Sequence, residues 1–158
     1  PMPVLDGDRF AGSCAIHGRC WEGLRAGPAI AARTGRPADA LAADDPAWDL
    51  TARYMAQAFA TLTCVLSPRR IIFGGSVRKG GRLGEAAFLD KTRAALLEVL
   101  NGYIASPALT KDGVRDFIVA PTLGDDAGVC GAIALAHDAL RIAACTSPAA
   151  SHSPTATA

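Results

Sequence analysis

Aromatic residues are scarce in this 158-residue chain, at 6%, and charge of neither sign accumulates: 16 Lys and Arg stand against 15 Asp and Glu, a net charge of +1. Without a basic excess there is no electrostatic case for nucleic acid or for an anionic membrane surface. No apolar run approaches the ~20 residues needed to span a bilayer, and no basic-then-apolar secretory signal follows Pro1. The five cysteines are an odd set, unevenly spread. That pattern suits a reducing compartment better than a disulfide framework, so the cytoplasm is the expected location. A first residue that is Pro rather than Met is expected of a fragment or a processed product. What is plentiful is aliphatic: half of the residues are hydrophobic, mostly Ala, Val, Leu and Ile, enough for a real core in one domain's length.

Turn formers in Pro1–Ser13 predict an irregular lead-in. A small-residue helix is expected from about Gly23 to Arg33, with Gly35 as its C-cap, and Arg36–Ala43 as a connection. Asp45-Pro46 predicts a helix start, Asp45 capping and Pro46 in the first helical position. Leu50, Tyr54, Ala58, Leu62 and Leu66, broadened by Met55 and Phe59, predict its apolar face, and Ser67-Pro68 its end. Arg70–Phe73 reads as a short strand broken by Gly74-Gly75. A second long helix is expected over 83–104, with Leu89, Leu96, Leu97, Leu100 and Ile104 buried. A polar loop over 105–115, a strand at Phe117–Val119 and an almost wholly apolar helix from Ala127 to about Ala144 complete the pattern. Such a helix is expected to be buried on most sides. Residues 145–158 are Ser, Thr, Pro and Ala without core residues, and disorder is expected there. Helix and strand alternate, which predicts an α/β fold: a small parallel sheet with helices on its faces. Two strands do not make a stable sheet alone, so the pattern suggests further strands. The expected organisation is a lead-in and metal-type loop over 1–22, an α/β lobe over 23–144 and a tail over 145–158.

The chemistry concentrates in Cys14-x-x-His17-x-x-Cys20. Thiolate and imidazole are good zinc donors, zinc prefers four such ligands in a tetrahedron, and two-residue spacers let one turn aim all three inward. A loop with two unrelated thiols and a surface histidine, or a Cys14–Cys20 disulfide, would fit the same letters. Glu22 follows at once, either a carboxylate able to accept two hydrogen bonds from a polyol or an acidic residue favoured at a helix N-terminus. Gly74-Gly75 after a strand exposes backbone amides and lets a ligand come close, or is a structural turn. Gly124, Asp125, Ala127 and Gly128 lie in a loop opening a helix, an arrangement that presents N–H groups to an anion or is capped by its own aspartates. Both loops follow strands, where ligands of α/β folds gather. Cys64, Cys130 and Cys145 are expected to be buried small hydrophobes, and His137 structural. His152 carries no argument.

The stretch GSCAIHGRCWEGLRAGPAIAARTG resembles the zinc loop of the fructokinase branch of the ROK sugar-kinase family, which reads roughly C-P-x-H-G-x-C-x-E-G-L-x-x-G-P-A. The likeness continues at DDPAWDLTARYMAQAFATLTCVLSPRRIIFGGSV and at DFIVAPTLGDDAGVCGAIALA. It covers almost the whole chain but only the C-terminal part of the family's chain. It implies a lobe of the ribonuclease-H-like, actin-like ATPase fold. It also implies transfer of the ATP γ-phosphoryl group to fructose, with structural Zn2+ and with Mg2+ accompanying ATP. Cys14, His17 and Cys20 would be metal ligands, Glu22 a sugar contact, and the two glycine loops the flanks of the adenine nucleotide. The family's phosphate-binding D-x-G-G-T segment, its aspartate base and the E-x-G-H segment that supplies a fourth zinc ligand have no counterpart in these residues. No catalytic residue is therefore assigned, and the isolated chain is expected to be inactive. Its expected partners are fructose or a related hexose, ATP or ADP, and a second copy or a separate N-terminal lobe. A sugar-sensing lobe of a ROK repressor, or a zinc-stabilised assembly fragment, remain the other readings.

Overall fold

Asp45 opens the longest helix of the N-terminal region, as the sequence predicts. Its Oδ1 accepts the Ala47 N–H at 3.0 Å. The helix itself runs Ala47–Leu66 (α3), one residue later than expected, with Pro46 at the cap. It is preceded by α1 (Trp21–Arg25) and α2 (Gly27–Thr34) and followed by β1 (Ile71–Ile72), α4 (Glu85–Leu100), α5 (Val114–Phe117), β2 (Ile118–Val119) and α6 (Ala127–Thr146). The computed structural model describes residues 2–146, with side chains described through residue 143. The tail expected to be disordered from 145 lies outside the described residues beyond 146, as does the Cys145 side chain. The chain divides into two units, Pro1–Pro121 and Thr122–Ala158.

In the first unit, the single helix expected over Gly23–Arg33 is two. Ala26 between them is extended (φ −66°, ψ 167°). Pro28 is the cause: it has no N–H to donate to Leu24, and its ring would clash with that carbonyl in a continuous helix. Gly35 closes α2 in the left-handed conformation at φ 70°, as expected.

Along α3, Trp48, Thr51, Ala52, Met55, Ala56, Phe59, Ala60 and Thr63 form one buried face, and Ala47 and Tyr54 are buried as well. Steps of three and four alternate along it, as a 3.6-residue turn requires. The expected series Leu50–Leu66 used steps of four alone, and each such step overshoots a full turn by about 40°. Tyr54, Met55 and Phe59 are buried as expected, but Leu62 is exposed and Leu66 is 66% exposed. Leu62 and Val65 instead line an open apolar groove with Trp21, Val99 and Tyr103. Cys64 is also exposed, not buried as expected.

Packed on α3 is α4, which buries Phe88, Leu89, Thr92, Ala95, Leu96 and Leu100. It ends at Asn101, in the left-handed region at φ 44°, before Ile104. Ile104 and Leu97 still pack on the core from its edge. Among the described residues, the buried threonines donate to carbonyls one turn back, Thr51 to Ala47 at 2.7 Å, Thr63 to Phe59 at 2.6 Å and Thr92 to Phe88 at 2.9 Å. Burial therefore costs them no hydrogen bond. Most of the few aromatics are spent here. Edge-type ring contacts link Trp21 to Phe59 (6.1 Å), Phe59 to Phe73 (5.4 Å) and Trp48 to Phe88 (5.7 Å), and Phe73 lies 6.3 Å from Phe88.

The strands pair in parallel, Ile71 opposite Ile118 and Ile72 opposite Val119. The expected polar loop before β2 contains the helix α5, and Phe117, expected in the strand, is its last residue. Val114 and Phe117 are buried in the core, which is why this stretch coils rather than looping freely. Arg93 from α4 donates to the Ile118 carbonyl through Nε (3.1 Å) and Nη2 (2.6 Å), fixing the helix to the strand.

The second unit holds a 3-10 turn, Gly124–Asp126, and α6. Residues 128–143 of α6 are exposed, against the expected burial; Val129 is 65% and Leu140 72% exposed. An apolar composition states what a helix prefers to cover, and a unit of one turn and one helix offers no second apolar surface of its own. Cys130 and His137 on this helix are exposed with it. Among the described residues no helix is long and apolar enough to cross a membrane.

Candidate metal centre

The loop that carries Cys14, His17 and Cys20 is folded about the Gly18 carbonyl. Gly18 donates to the Cys14 carbonyl at 2.9 Å, and Ser13 donates to the Gly23 carbonyl at 2.8 Å, closing the loop at its base. Two glycines make this possible. A Cβ at Gly12 would stand 2.0 Å from the Gly18 oxygen, and one at Gly23 would stand 2.0 Å from the same oxygen and 2.8 Å from the Cys14 Cβ. No side chain fits at either position without opening the loop.

The fold brings all three predicted ligands together. Their donor atoms lie within 4.8 Å of one another, with Cys14 Sγ 3.8 Å from His17 Nδ1. Donors around a tetrahedral zinc with 2.0–2.3 Å bonds stand roughly 3.3–3.8 Å apart, so a small contraction of the cluster would meet that geometry. Soft thiolates and an imidazole are the donor set that zinc selects. Both cysteines are free thiols, so the alternative disulfide is not formed.

Backbone amides prepare the sulfurs. His17 N–H donates to Cys14 Sγ at 3.4 Å, and Gly23 N–H donates to Cys20 Sγ at 3.4 Å, so Cys20 also caps α1. Donors aimed at a sulfur favour its thiolate. The Cys14 thiol is lowered to about 7, chiefly by the His17 N–H, then by the Ile16 N–H and the Cys20 side chain. A cysteine held partly as thiolate at neutral pH is ready to bind metal.

Glu22 stands exposed in the first turn of α1, two residues past Cys20. Its neighbour Arg25 stacks on the Trp21 ring at 4.0 Å. Burial pushes the Arg25 guanidinium down and the Glu22 charge opposes that shift. Trp21 anchors this turn in the aromatic chain of the core, so the helix that presents Glu22 is fixed on its other face.

The two glycine loops belong to separate units. In the first unit, Gly74 and Gly75 follow β1, with Gly75 at φ 89° heading the 3-10 turn Ser76–Lys79. In the second, Gly124 lies at φ 55° in the turn before α6, and Ala127 and Gly128 begin that helix. None of these four glycines has a neighbouring atom within 4 Å of a built Cβ. Neighbouring atoms therefore do not demand glycine at these positions, although the positive φ of Gly75 and Gly124 does favour it.

One cluster escaped the sequence reading. Asp8, in the lead-in, receives Arg33 through both guanidinium ends at 2.7 Å each, together with the Tyr54 hydroxyl and the Phe10 N–H. Arg33 Nη2 also donates to the Leu24 carbonyl at 3.3 Å. The Arg33 hydrogen bonds hold the Asp8 carboxyl well below the usual carboxylate range, against the opposing effect of burial. Burial, then the Asp8 carboxylate, pushes the Tyr54 phenol up, so Tyr54 remains a donor. Turn formers had marked Asp8 as loop, and no spacing rule links residues 25 and 46 apart.

Parallel strands joined through helices, with an open loop after each, define part of an α/β lobe. The ROK family profile matches residues 4–139, and the chain belongs to the ROK family, whose fold is that of the actin-like ATPases. The chain is 37% identical over 134 residues to a putative fructokinase of Bacillus subtilis (strain 168), covering 85% of this chain and 43% of that protein. It is 37% identical over 137 residues to a fructokinase of Pediococcus pentosaceus, covering 87% of this chain and 44% of that one. A fructokinase of Zymomonas mobilis is 37% identical over 138 residues, 86% of this chain and 42% of its own. The chain thus spans less than half the length of these curated relatives.

Proposed function

We propose that this chain is the metal-carrying, C-terminal portion of a sugar kinase that transfers the ATP γ-phosphoryl group to the 6-hydroxyl of fructose or a related hexose. The observation that carries the proposal is the convergence of Cys14, His17 and Cys20 immediately before the turn bearing Glu22. The likeness to fructokinases over the same residues supports it. The C-x-x-H-x-x-C form of the loop favours a kinase over a repressor.

In this reading Cys14, His17 and Cys20 hold a zinc ion, which crosslinks the loop. Glu22 accepts hydrogen bonds from two sugar hydroxyls, as a carboxylate can. Gly74 and Gly75 in the first unit, and Gly124, Asp125, Ala127 and Gly128 in the second, are each nucleotide contacts by the family resemblance. Phosphoryl transfer relies on positioning and charge stabilisation, and ATP brings Mg2+. No base is assigned among these residues. A reducing cytoplasm keeps the two thiols available, and pairing with an N-terminal lobe or a second copy completes the cleft.

A chimera tests this: residues 4–139 replace the matching segment of the Pediococcus fructokinase, and ATP-dependent phosphorylation of fructose is measured. Turnover is expected, and Glu22→Gln is expected to lower kcat/KM by about 10- to 100-fold, the worth of hydrogen bonds to a charged group. A chimera that folds and binds zinc yet matches the no-protein rate refutes the proposal. An unchanged Glu22→Gln rate removes the sugar role.

A further inference from the structure

We propose that Arg33 is the positioning residue of the metal loop: gripped by Asp8 beside Tyr54, its guanidinium ties the segment entering the loop to the helix leaving it. The inference rests on the metal-binding reading above and extends it to residues that touch no ligand atom.

The geometry is that of two nested closures. The inner one joins Ser13 to Gly23 at 2.8 Å, directly below the donor cluster. The outer one is built by Arg33, whose two ends meet the two Asp8 oxygens at 2.7 Å on the entering side. On the leaving side, Nη2 reaches the Leu24 carbonyl at 3.3 Å. Arg33 is 11% and Asp8 8% exposed, so water competes little for this pair. The guanidinium also lies 4.2 Å over the Phe10 ring, which holds the next residues of the entering segment. Tyr54 brings the clamp to α3 through its hydroxyl, which donates to Asp8 and accepts the Leu5 N–H at 3.3 Å.

This clamp is separate from the main apolar cluster. Leu24, Ala29 and Tyr54 are buried beside it without joining that cluster. Its effect on the metal is entropic. A loop must lose conformational freedom to bring two thiolates and an imidazole to one point, and a base already fixed lowers that cost on binding. The planar fork meets both Asp8 oxygens and Leu24 from two fixed nitrogens; a lysine ammonium has three donors on one nitrogen and lacks that spacing.

The test uses the chain as it stands, with Zn2+ affinity by chelator competition and Co2+ as a spectroscopic probe of the thiolate site. Arg33→Lys keeps the charge and is expected to weaken binding by about 10- to 100-fold, the worth of a hydrogen bond to a charged group, and to alter the Co2+ d–d bands. Tyr54→Phe, which removes one oxygen, is expected to weaken it by about 3- to 10-fold. Leu96→Ala, in the distant core, is expected to lower Tm and leave metal affinity at 25 °C within twofold. Arg33→Lys with wild-type affinity overturns the proposal. So does Leu96→Ala weakening the metal as much at an equal loss of Tm, because global stability would then be the cause. Should Arg33→Lys not fold, Tyr54→Phe decides, and unchanged affinity there overturns the clamp. A wild-type chain that binds neither ion overturns the metal reading itself and the clamp with it.

Discussion

Residues 2–35 and the packed pair α3 and α4 are held together by different forces. The first region contains helices of five and eight residues, and its shape is fixed at a few atoms: Arg33 on Asp8, Ser13 on Gly23, and glycines at 12 and 23 that admit no Cβ. The second is fixed by volume, with Trp48, Met55, Phe59, Phe88 and Leu96 buried at 3% exposure or less. The regions meet at the Trp21–Phe59 ring contact, at Tyr54 of α3, whose hydroxyl donates to Asp8, and at Ile30 of α2, which joins the main core. A binding loop built from hydrogen bonds can hold donors at set points without a core of its own. A core built from side-chain volume can support that loop without knowing its chemistry. Substitutions in the two regions should therefore differ in kind as well as in size.

Phe88→Ala should have the largest effect on stability. Phe88 is fully buried between Trp48 and Phe73, and removing such a ring costs about 3–5 kcal/mol in transfer and cavity terms. Thermal unfolding followed by circular dichroism should show the loss, while Co2+ bound to the remaining folded molecules keeps its wild-type spectrum. A changed spectrum would mean the core shapes the metal loop directly.

Cys20→Ser should act in the opposite way. It removes one thiolate donor while its hydroxyl can still cap α1 as the Cys20 sulfur does, so the metal is released and the loop carrying Glu22 loosens through loss of the metal crosslink alone. The Ala47–Leu100 helices should stay folded. Metal analysis beside circular dichroism checks both halves; zinc retained as in the wild type, or collapse of the helices, would break the contrast. In the wild type, metal binding should weaken as pH falls, because both thiols must lose their protons.

What could be read from the sequence follows the same division. The three ligands sit within seven residues, so one turn decides whether they converge, and local spacing reveals it. The long helices were legible because apolar periodicity is local too, as were the helix start beside Asp45, one residue out, and the cap at Gly35. Errors arose where the answer depends on distant partners. Leu62 and Leu66 are as apolar as Met55, and only the position of α4 separates the buried face from the exposed one. The exposure of α6 could not be read from its composition, since burial needs a partner surface. Phe88 was missed because leucines drew the expected stripe. The Asp8–Arg33–Tyr54 clamp joins three segments far apart in sequence, and nothing near any one of them announces the other two. The break before Pro28 is different: it was legible, because a proline so placed cannot continue the helix from α1.

The smallest predicted effect sharpens the comparison most. Asp8 in the folded chain gives up its proton far more readily than an unfolded aspartate, whose pKa is ≈ 3.9, because Arg33, Tyr54 and Phe10 all donate to its carboxylate. The folded state thus binds this proton less tightly than the unfolded state. The stability that Asp8 contributes is complete above about pH 5, and it is lost progressively as pH falls through the unfolded pKa toward the lower folded one. Other carboxylates titrate in the same range, so the informative quantity is a difference. Wild-type Tm minus Asp8→Asn Tm should be positive at pH 7 and shrink between about pH 5 and pH 2. The same difference taken against Leu96→Ala should stay flat, because that substitution removes volume and no titrating group. A flat Asp8→Asn difference would show that the lead-in is held by packing after all, and the distinction between the two regions would fail at the residue where it is drawn most sharply.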